Sequence, residues 1–195
     1  MSHRSKRSGS GTKARAQQIA LRLFTAQGYE ATSLREIAEA LGITKASLYY
    51  HFKSKEEIVG SIVADRTREA QELLAWVQEQ PEHPGLLRQA VMRWVESNAT
   101  EKLRGVRFTN TNPLIMRAAS EATAETIGHS LDTILGLLLG PAASTTERLL
   151  ARLAFFSLNM AASAAEGTSA TDEAVVAAAQ VLADTLIAKV EQHVS

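Results

Sequence analysis

Residues 33–57 read SLREIAEALGITKASLYYHFKSKEE, and the spacing within this stretch decides the fold. Ser33 stands before an apolar-periodic run and Glu36 follows three residues later. That spacing is a capping box, in which the hydroxyl accepts from a backbone N–H and the carboxylate reaches back to the cap. Leu34, Ile37, Ala38 and Leu41 recur at helical spacing and share one face. Gly42 permits the positive φ that ends such a helix. Thr44 can cap a second helix on which Leu48 and Phe52 lie on one side. Ser54 and Glu57 repeat the capping-box spacing and open a third helix. Two short helices about a tight glycine turn, the second rich in Thr, Lys, Ser, Tyr and His, make a helix-turn-helix, with the second helix suited to a DNA major groove.

The charge distribution points the same way. The chain has 195 residues and a formal net charge of zero, from 21 Lys/Arg and 21 Asp/Glu. Ten of the basic residues and only three of the acids (Glu30, Glu36, Glu39) fall in residues 1–55, which leaves an acidic remainder. A basic head on an acidic body indicates that the head meets a polyanion. There is no cysteine, which excludes a disulfide framework and thiolate metal sites and suits a reducing cytoplasm, the expected location. No apolar stretch follows the basic first residues, so no signal peptide is expected. The longest apolar runs fall far short of the roughly 18 residues of a membrane span.

Along the chain, residues 1–12 (MSHRSKRSGSGT) read as a flexible basic arm. Residues 13–57 read as a three-helix DNA-binding domain, its first helix carrying Ile19, Ala20, Leu23 and Phe24 on one face and ending at Gly28. The helix opening at Ser54 is expected to run to about Gln80, with apolar faces at both ends and a polar stretch, Asp65–Glu69, between them. Residues 58–195 show no strand alternation and read as an all-α ligand-binding and dimerisation domain. Ser144 with Glu147 gives another capping box, opening a helix expected to reach about Glu166, and Thr171 with Asp172 and Glu173 opens the last helix. The last two helices are apolar on more sides than one small core requires, so they are expected to pair with those of a second copy in a homodimer.

The segment I-A-x-x-L-G-I-T at residues 37–44, followed by L-Y-Y-H-F-K-S-K-E at residues 48–56, resembles the DNA-binding signature of TetR-family transcriptional regulators. The sequence resemblance covers about residues 13–60. It implies an all-α homodimer of about nine helices per chain, three binding DNA and the rest binding a ligand and the partner copy. It also implies a repressor that a small molecule releases from a two-fold operator. A DNA-bound adaptor, whose C-terminal domain takes a protein partner instead of a small molecule, is the alternative.

On this resemblance Lys45, Ala46, Ser47, Tyr50 and His51 face DNA. Lys45 suits guanine O6/N7 or a phosphate, Ser47 a base edge, and Ala46 a thymine methyl. The Tyr49 and Tyr50 hydroxyls suit phosphate oxygens, with Tyr49 also a candidate for packing. Ser33 and Thr44 stand at helix N-termini whose free N–H groups attract phosphate. Lys55, a cation in the first turn of the long helix, opposes the helix dipole, and the resemblance gives it a phosphate to bind. Trp94, Phe108, Met116, Phe155, Asn159 and Met160 are candidates for an apolar ligand pocket with one polar handle. No catalytic grouping is apparent, and the scattered His83, His129 and His193 lack metal-ligand spacing, so no enzyme, cofactor or metal is expected.

Overall fold

The computed structural model describes residues 3–97, 99–111 and 127–193. Among these the chain is all-helical, with ten helices and no strand. They are α1 (His3–Gln27), α2 (Leu34–Leu41), α3 (Lys45–His51), α4 (Lys55–Glu79), α5 (Leu86–Glu96) and α6 (Ala99–Thr111), then α7 (127–139), α8 (Thr145–Phe155), α9 (Ser157–Ala164) and α10 (Asp172–His193). The tenth helix arises at Phe156, where the helix expected from Ser144 to Glu166 is interrupted. The Phe156 N–H is shared between the carbonyls of Arg152 (3.2 Å) and Leu153 (3.1 Å), so the ladder tightens for one turn and then resumes. At the other end of the chain, α1 begins at His3 instead of near residue 13, replacing the expected flexible arm with helix. Nothing between residues 3 and 12 is a proline, so a helix nucleated by the packed segment behind it can propagate through them.

The helices form two compact units. The first holds the described residues up to Asp65 together with α6 from Arg107; the second holds Arg66–Val106 and the described residues from 127 on. A boundary between residues 57 and 58 is therefore corrected on two counts. Ile58, Val59 and Val63 of α4 belong to the first core, with Ile37, Ala38, Leu41, Leu48 and Phe52. So does Phe108, fifty residues later in the chain. Its ring stands 5.3 Å from that of Phe24 and 6.2 Å from that of Tyr29, and Phe24 and Tyr29 are 4.9 Å apart. Tilted aromatic contacts of this kind add to the burial of the rings themselves. Gln17 of α1 completes the unit with polar bonds to α4, donating to Ser61 Oγ at 2.9 Å and Asp65 Oδ2 at 2.8 Å.

The second unit is built around α10, which packs against α5, α8 and α9. Ala151, Ala154, Ala179 and Ala183 are fully buried, and these small side chains let the helices approach closely. Arg88 of α5 holds α10 through Asp184 and, at 2.7 Å, Glu191. Trp94 of α5 donates its indole N–H to the Phe155 carbonyl of α8 at 3.1 Å. The expected capping box at Ser144 is complete, with Glu147 Oε2 accepting from Ser144 N at 2.6 Å and Glu147 N donating to Ser144 Oγ at 3.2 Å. A charged cluster lies inside this unit. Lys102 is 3% exposed and donates to the Trp94 carbonyl (2.6 Å) and Ser97 Oγ (2.7 Å), while Arg66 donates to the Lys102 carbonyl. Glu69 lies 3.4 Å from Lys102 Nζ and 3.5 Å from Arg66. Burial pushes the Lys102 ammonium down to about 8, against the opposing pull of Glu69.

Phe108→Ala is expected to destabilise the first unit by about 3–5 kcal/mol, the usual cost of emptying a buried phenylalanine site. Amide exchange at residues 16–63 should accelerate while the amides of α10 keep their protection.

Candidate nucleic-acid interface

The reading segment is assembled by local bonds that its sequence dictates. Ser33 Oγ accepts from Glu36 N at 3.2 Å, and Glu36 Oε2 accepts from Ser33 N at 2.7 Å, so the capping box is closed in both directions. These bonds from Ser33, with a smaller contribution from Gln27, hold the Glu36 carboxyl below its ordinary range. Gly42 takes φ 72°, and Ile43 N reaches back to the Ala38 carbonyl at 3.0 Å, which satisfies the orphan carbonyls at the end of α2. Thr44 then caps α3, its Oγ1 accepting from Ser47 N at 3.1 Å. Phe52 ends α3 in an extended conformation. At Ser54 the box is modified: Ser54 Oγ accepts from Glu57 N, but the Glu57 carboxylate takes the N–H of Lys53.

Leu48 and Phe52 fix how α3 is turned, because both are buried, at 0% and 1% exposure. Every other residue of α3 except the half-buried His51 faces solvent, and Tyr50 is 85% exposed. Lys45, Ala46, Ser47, Tyr49 and Tyr50 thus lie together on the outer side of one short helix, with Thr44 and Ser33 exposed at the starts of α3 and α2. Within that surface the Lys45 ammonium sits 5.4 Å from the centroid of the Tyr49 ring, and Tyr50 meets His51 edge-on at 5.3 Å. The set offers one flexible cation, hydroxyl donors and a small methyl, the groups that base edges and phosphate oxygens accept. Tyr49 is 39% exposed, so it combines packing with an outward hydroxyl-bearing ring.

Lys55 is differently placed from the other candidates. Its Nζ donates to the Tyr29 carbonyl at 2.6 Å and stands 4.3 Å from the centroid of the Tyr29 ring. The Tyr29 hydroxyl in turn donates to Glu56 at 2.8 Å. Burial first, and then this bond to Glu56, push the Tyr29 phenol well above its ordinary value. Sequence reasoning found no reason of folding for a cation at the start of α4. This contact supplies a folding role, tying α4 to the segment linking α1 and α2. Its signal in the sequence was slight, a tyrosine just past the glycine that ends α1. Lys13 was also missed: its ammonium lies 5.7 Å from the centroid of the Phe52 ring.

Of the ligand-pocket candidates, Trp94 and Phe155 meet, with ring centroids 6.5 Å apart, and the other described ones lie elsewhere. Phe108 is committed to the first unit, beside Phe24 and Tyr29. Phe155 is buried in the second core, whereas Asn159 and Met160 face solvent, because α9 turns them away from that core. Met116 lies outside the described residues. Trp94 alone of the six lines a described pocket, a cavity of about 130 Å³ with Glu69, Glu72, Leu73, Arg93 and Ser97. Among the described residues no cluster of His, Cys, Asp and Glu could hold a metal ion, and no helix is long and apolar enough to cross a membrane.

Comparison with known proteins bears on the same segment. Residues 18–62 match the family model of bacterial regulatory proteins, tetR family. The chain is 34% identical over 108 residues to the HTH-type transcriptional regulator AcrR of Shigella flexneri, a match covering 53% of this chain and 49% of AcrR. It is 46% identical over 48 residues to the HTH-type transcriptional repressor KstR2 of Mycolicibacterium smegmatis, covering 25% of this chain and 23% of that one. The matched stretch thus spans about half of the first relative and about a quarter of the second. The fold is similar to that of the ketosteroid transcriptional regulator KstR2 of Mycobacterium tuberculosis, with a TM-score of 0.61 at 19% identity over 93% of each chain. These relatives and neighbours are named as transcriptional regulators, not enzymes. The capped helix-turn-helix falls inside the matched residues, so residues 18–62 are similar to the DNA-binding segment of bacterial regulatory proteins of the tetR family, and the fold of the whole chain is similar to that of solved TetR-family regulators.

Proposed function

We propose that the protein is a DNA-binding transcriptional repressor that works as a homodimer and is released from its operator by an effector bound in the second unit. The observation that carries this reading is the division of α3, where Leu48 is buried and Lys45, Ala46, Ser47, Tyr49 and Tyr50 face outward. A helix of this composition with one anchored side is what a major groove admits. Ser33 and Thr44 then add phosphate contacts at helix N-termini, and His51 approaches from the end of α3. In the dimer, two copies of α3 read half-sites about 34–36 Å apart. KstR2 is named a repressor, which supports repression over activation.

Pairing through the last helices is supported by what they leave uncovered. Leu149, Leu153, Phe156 and Met160 recur at helical spacing along α8 and α9, and are 56%, 40%, 37% and 43% exposed. Val181 on α10 is 67% exposed, between the solvent-facing Ala177, Ala178 and Thr185. An apolar stripe beside a small-residue surface is suited to a four-helix contact between copies.

Effector release would act through α4, which supplies residues to both cores. The effector can shift DNA affinity only by as much as it prefers the state that does not bind DNA. The described cavity beside Trp94, of about 130 Å³, is one place in the second unit where a small effector could begin to enter. The second reading is a DNA-bound adaptor whose second unit takes a protein partner.

DNA binding is tested by titrating the duplex upstream of the coding region. Lys45→Ala and Tyr50→Ala are expected to weaken binding roughly tenfold each, within the ~1–3 kcal/mol of a specific contact, without lowering the melting temperature. Lys55→Ala separates two roles. Loss of its bonds to Tyr29 alone lowers the melting temperature and leaves the salt dependence of DNA binding unchanged, whereas a phosphate contact makes that dependence shallower by about one ion. The same titration repeated over a panel of small molecules decides between effector and adaptor, since an adaptor's affinity stays constant throughout.

Leu153→Glu with Phe156→Glu is expected to convert the dimer to a monomer in sedimentation, with helicity retained because both side chains are solvent-facing in one copy. Unchanged dimer mass would place the contact elsewhere.

A further inference from the structure

Among the described residues Lys102 is the one buried cation, and groups from three helices meet at it. Its side chain crosses from α6 to the end of α5, where Nζ donates to the Trp94 carbonyl (2.6 Å) and to Ser97 Oγ (2.7 Å). The same ammonium stands 4.3 Å from the centroid of the Trp94 ring. From α4, Glu69 pairs with it at 3.4 Å, and Arg66 donates to the Lys102 backbone carbonyl at 3.0 Å. Arg66 also lies 3.5 Å from Glu69. The next charged groups are Glu72 of α4 and Arg93 of α5, on the lining of the cavity beside Trp94, and on α6 itself Glu101 is paired with Arg104.

An ammonium carries three hydrogens, and a neutral amine keeps two. Two suffice for the short bonds to Trp94 and Ser97. What the neutral amine gives up is its attraction for the Glu69 carboxylate and for the indole face. Glu69 then retains Arg66, whose guanidinium does not deprotonate in a protein. Loss of one proton therefore cuts the tie that Lys102 Nζ makes to α4 and leaves its tie to α5. α4 and α6 are also the helices that supply residues to both cores, so the tie joins the two helices on which the first unit draws. Burial brings the ammonium down to about 8, against the pull of Glu69, which places the change just above neutral pH. The folded chain gives up this proton before an unfolded one does. The contribution of Lys102 to stability accordingly grows as pH rises from about 8 towards the ordinary lysine range, so release of α4 is not the onset of alkaline unfolding.

We propose that Lys102 is a proton-operated latch: its ammonium holds α4 to α6 in the state that reads DNA, and loss of the proton frees α4 and lowers the affinity for DNA. The inference rests on the DNA-binding reading of α3.

The test follows the latch and DNA binding separately, in the full chain. Trp76→Phe leaves Trp94 as the only one of the two tryptophans, so its emission reports the ammonium beside its ring. Between about pH 6.5 and about pH 9.5 that emission is expected to titrate with a midpoint of about 8, and adding Lys102→Met is expected to abolish the titration. Affinity of the wild type for the upstream duplex is expected to fall roughly fivefold over the same range. Lys102→Arg, which stays charged, keeps the affinity of the acid end throughout, and Lys102→Met binds weakly at every pH. The melting temperature of the wild type rises relative to that of Lys102→Met above about pH 8. Emission that does not titrate, or that titrates equally with Lys102→Met present, would overturn the latch. So would a DNA affinity that falls by the same factor in the wild type and in both variants, and the α3 reading would then stand. A wild type that leaves the upstream duplex unbound at every pH would overturn the α3 reading, and the hold of the latch on DNA with it, even where the emission titrates.

Discussion

The burial of Leu48 and Phe52 is the constraint on which the reading surface depends. α3 has seven residues, about half of what an isolated helix needs to persist in water. It exists because Leu48 inserts into the first core and Phe52 closes its end there, and because Thr44 and Gly42 set its start. The same anchoring turns the remaining side chains outward. Helix stability and the outward presentation of side chains are therefore a single fact at α3, with one side committed to the core so that the other is held rigidly at the surface. Tyr29 extends this arrangement. Its ring packs on Phe24 and Phe108 and faces the Lys55 ammonium, its carbonyl accepts from Lys55, and its hydroxyl donates to Glu56.

Local chemistry made the first sixty residues legible. Caps at Ser33 and Thr44, the positive φ at Gly42 and the length of α4 all follow from residues within a turn of one another, and each is found in the fold. The acidic residues that close caps illustrate how far such reasoning carries. Glu36 titrates below its ordinary value in the folded chain, so its cap adds stability above the usual carboxylate range, and that stability is lost as pH falls through the lowered value. What the sequence did not disclose depends on partners distant along the chain. Phe108 reads as a pocket candidate in the sequence because residues 100–111 carry no clear periodicity to show which core receives it. Lys55 looked like a residue with no folding role because its acceptor is a backbone carbonyl twenty-six residues earlier.

The second unit was legible as a helix count and little more. Alanine-rich helices satisfy several packing faces equally, so periodicity did not separate Phe155, which is buried, from Asn159 and Met160, which are not. The break at Phe156 was invisible because no proline or glycine causes it. A shared backbone hydrogen bond does. The buried Lys102 also escaped notice, since a lone lysine in a polar helix ordinarily signals a solvated face.

The division of α4 and α6 between two cores has a consequence for modular exchange. α4 contributes Ile58, Val59 and Val63 to one core and Leu73 and Val77 to the other, and α6 contributes Leu103 and Val106 to one and Phe108 to the other. The first unit, which holds the helix-turn-helix, is thus discontinuous in the chain. A head grafted onto a different body at residue 57, as its helix-turn-helix motif would suggest, leaves behind the end of its own core and one of the two rings that pack on Tyr29. A chimera that respects the fold has to carry the first third of α4 and a matching aromatic residue at position 108 of the recipient. New pairings of head and body in such a chain are constrained by two distant positions at once, where a single linker would have left them unconstrained.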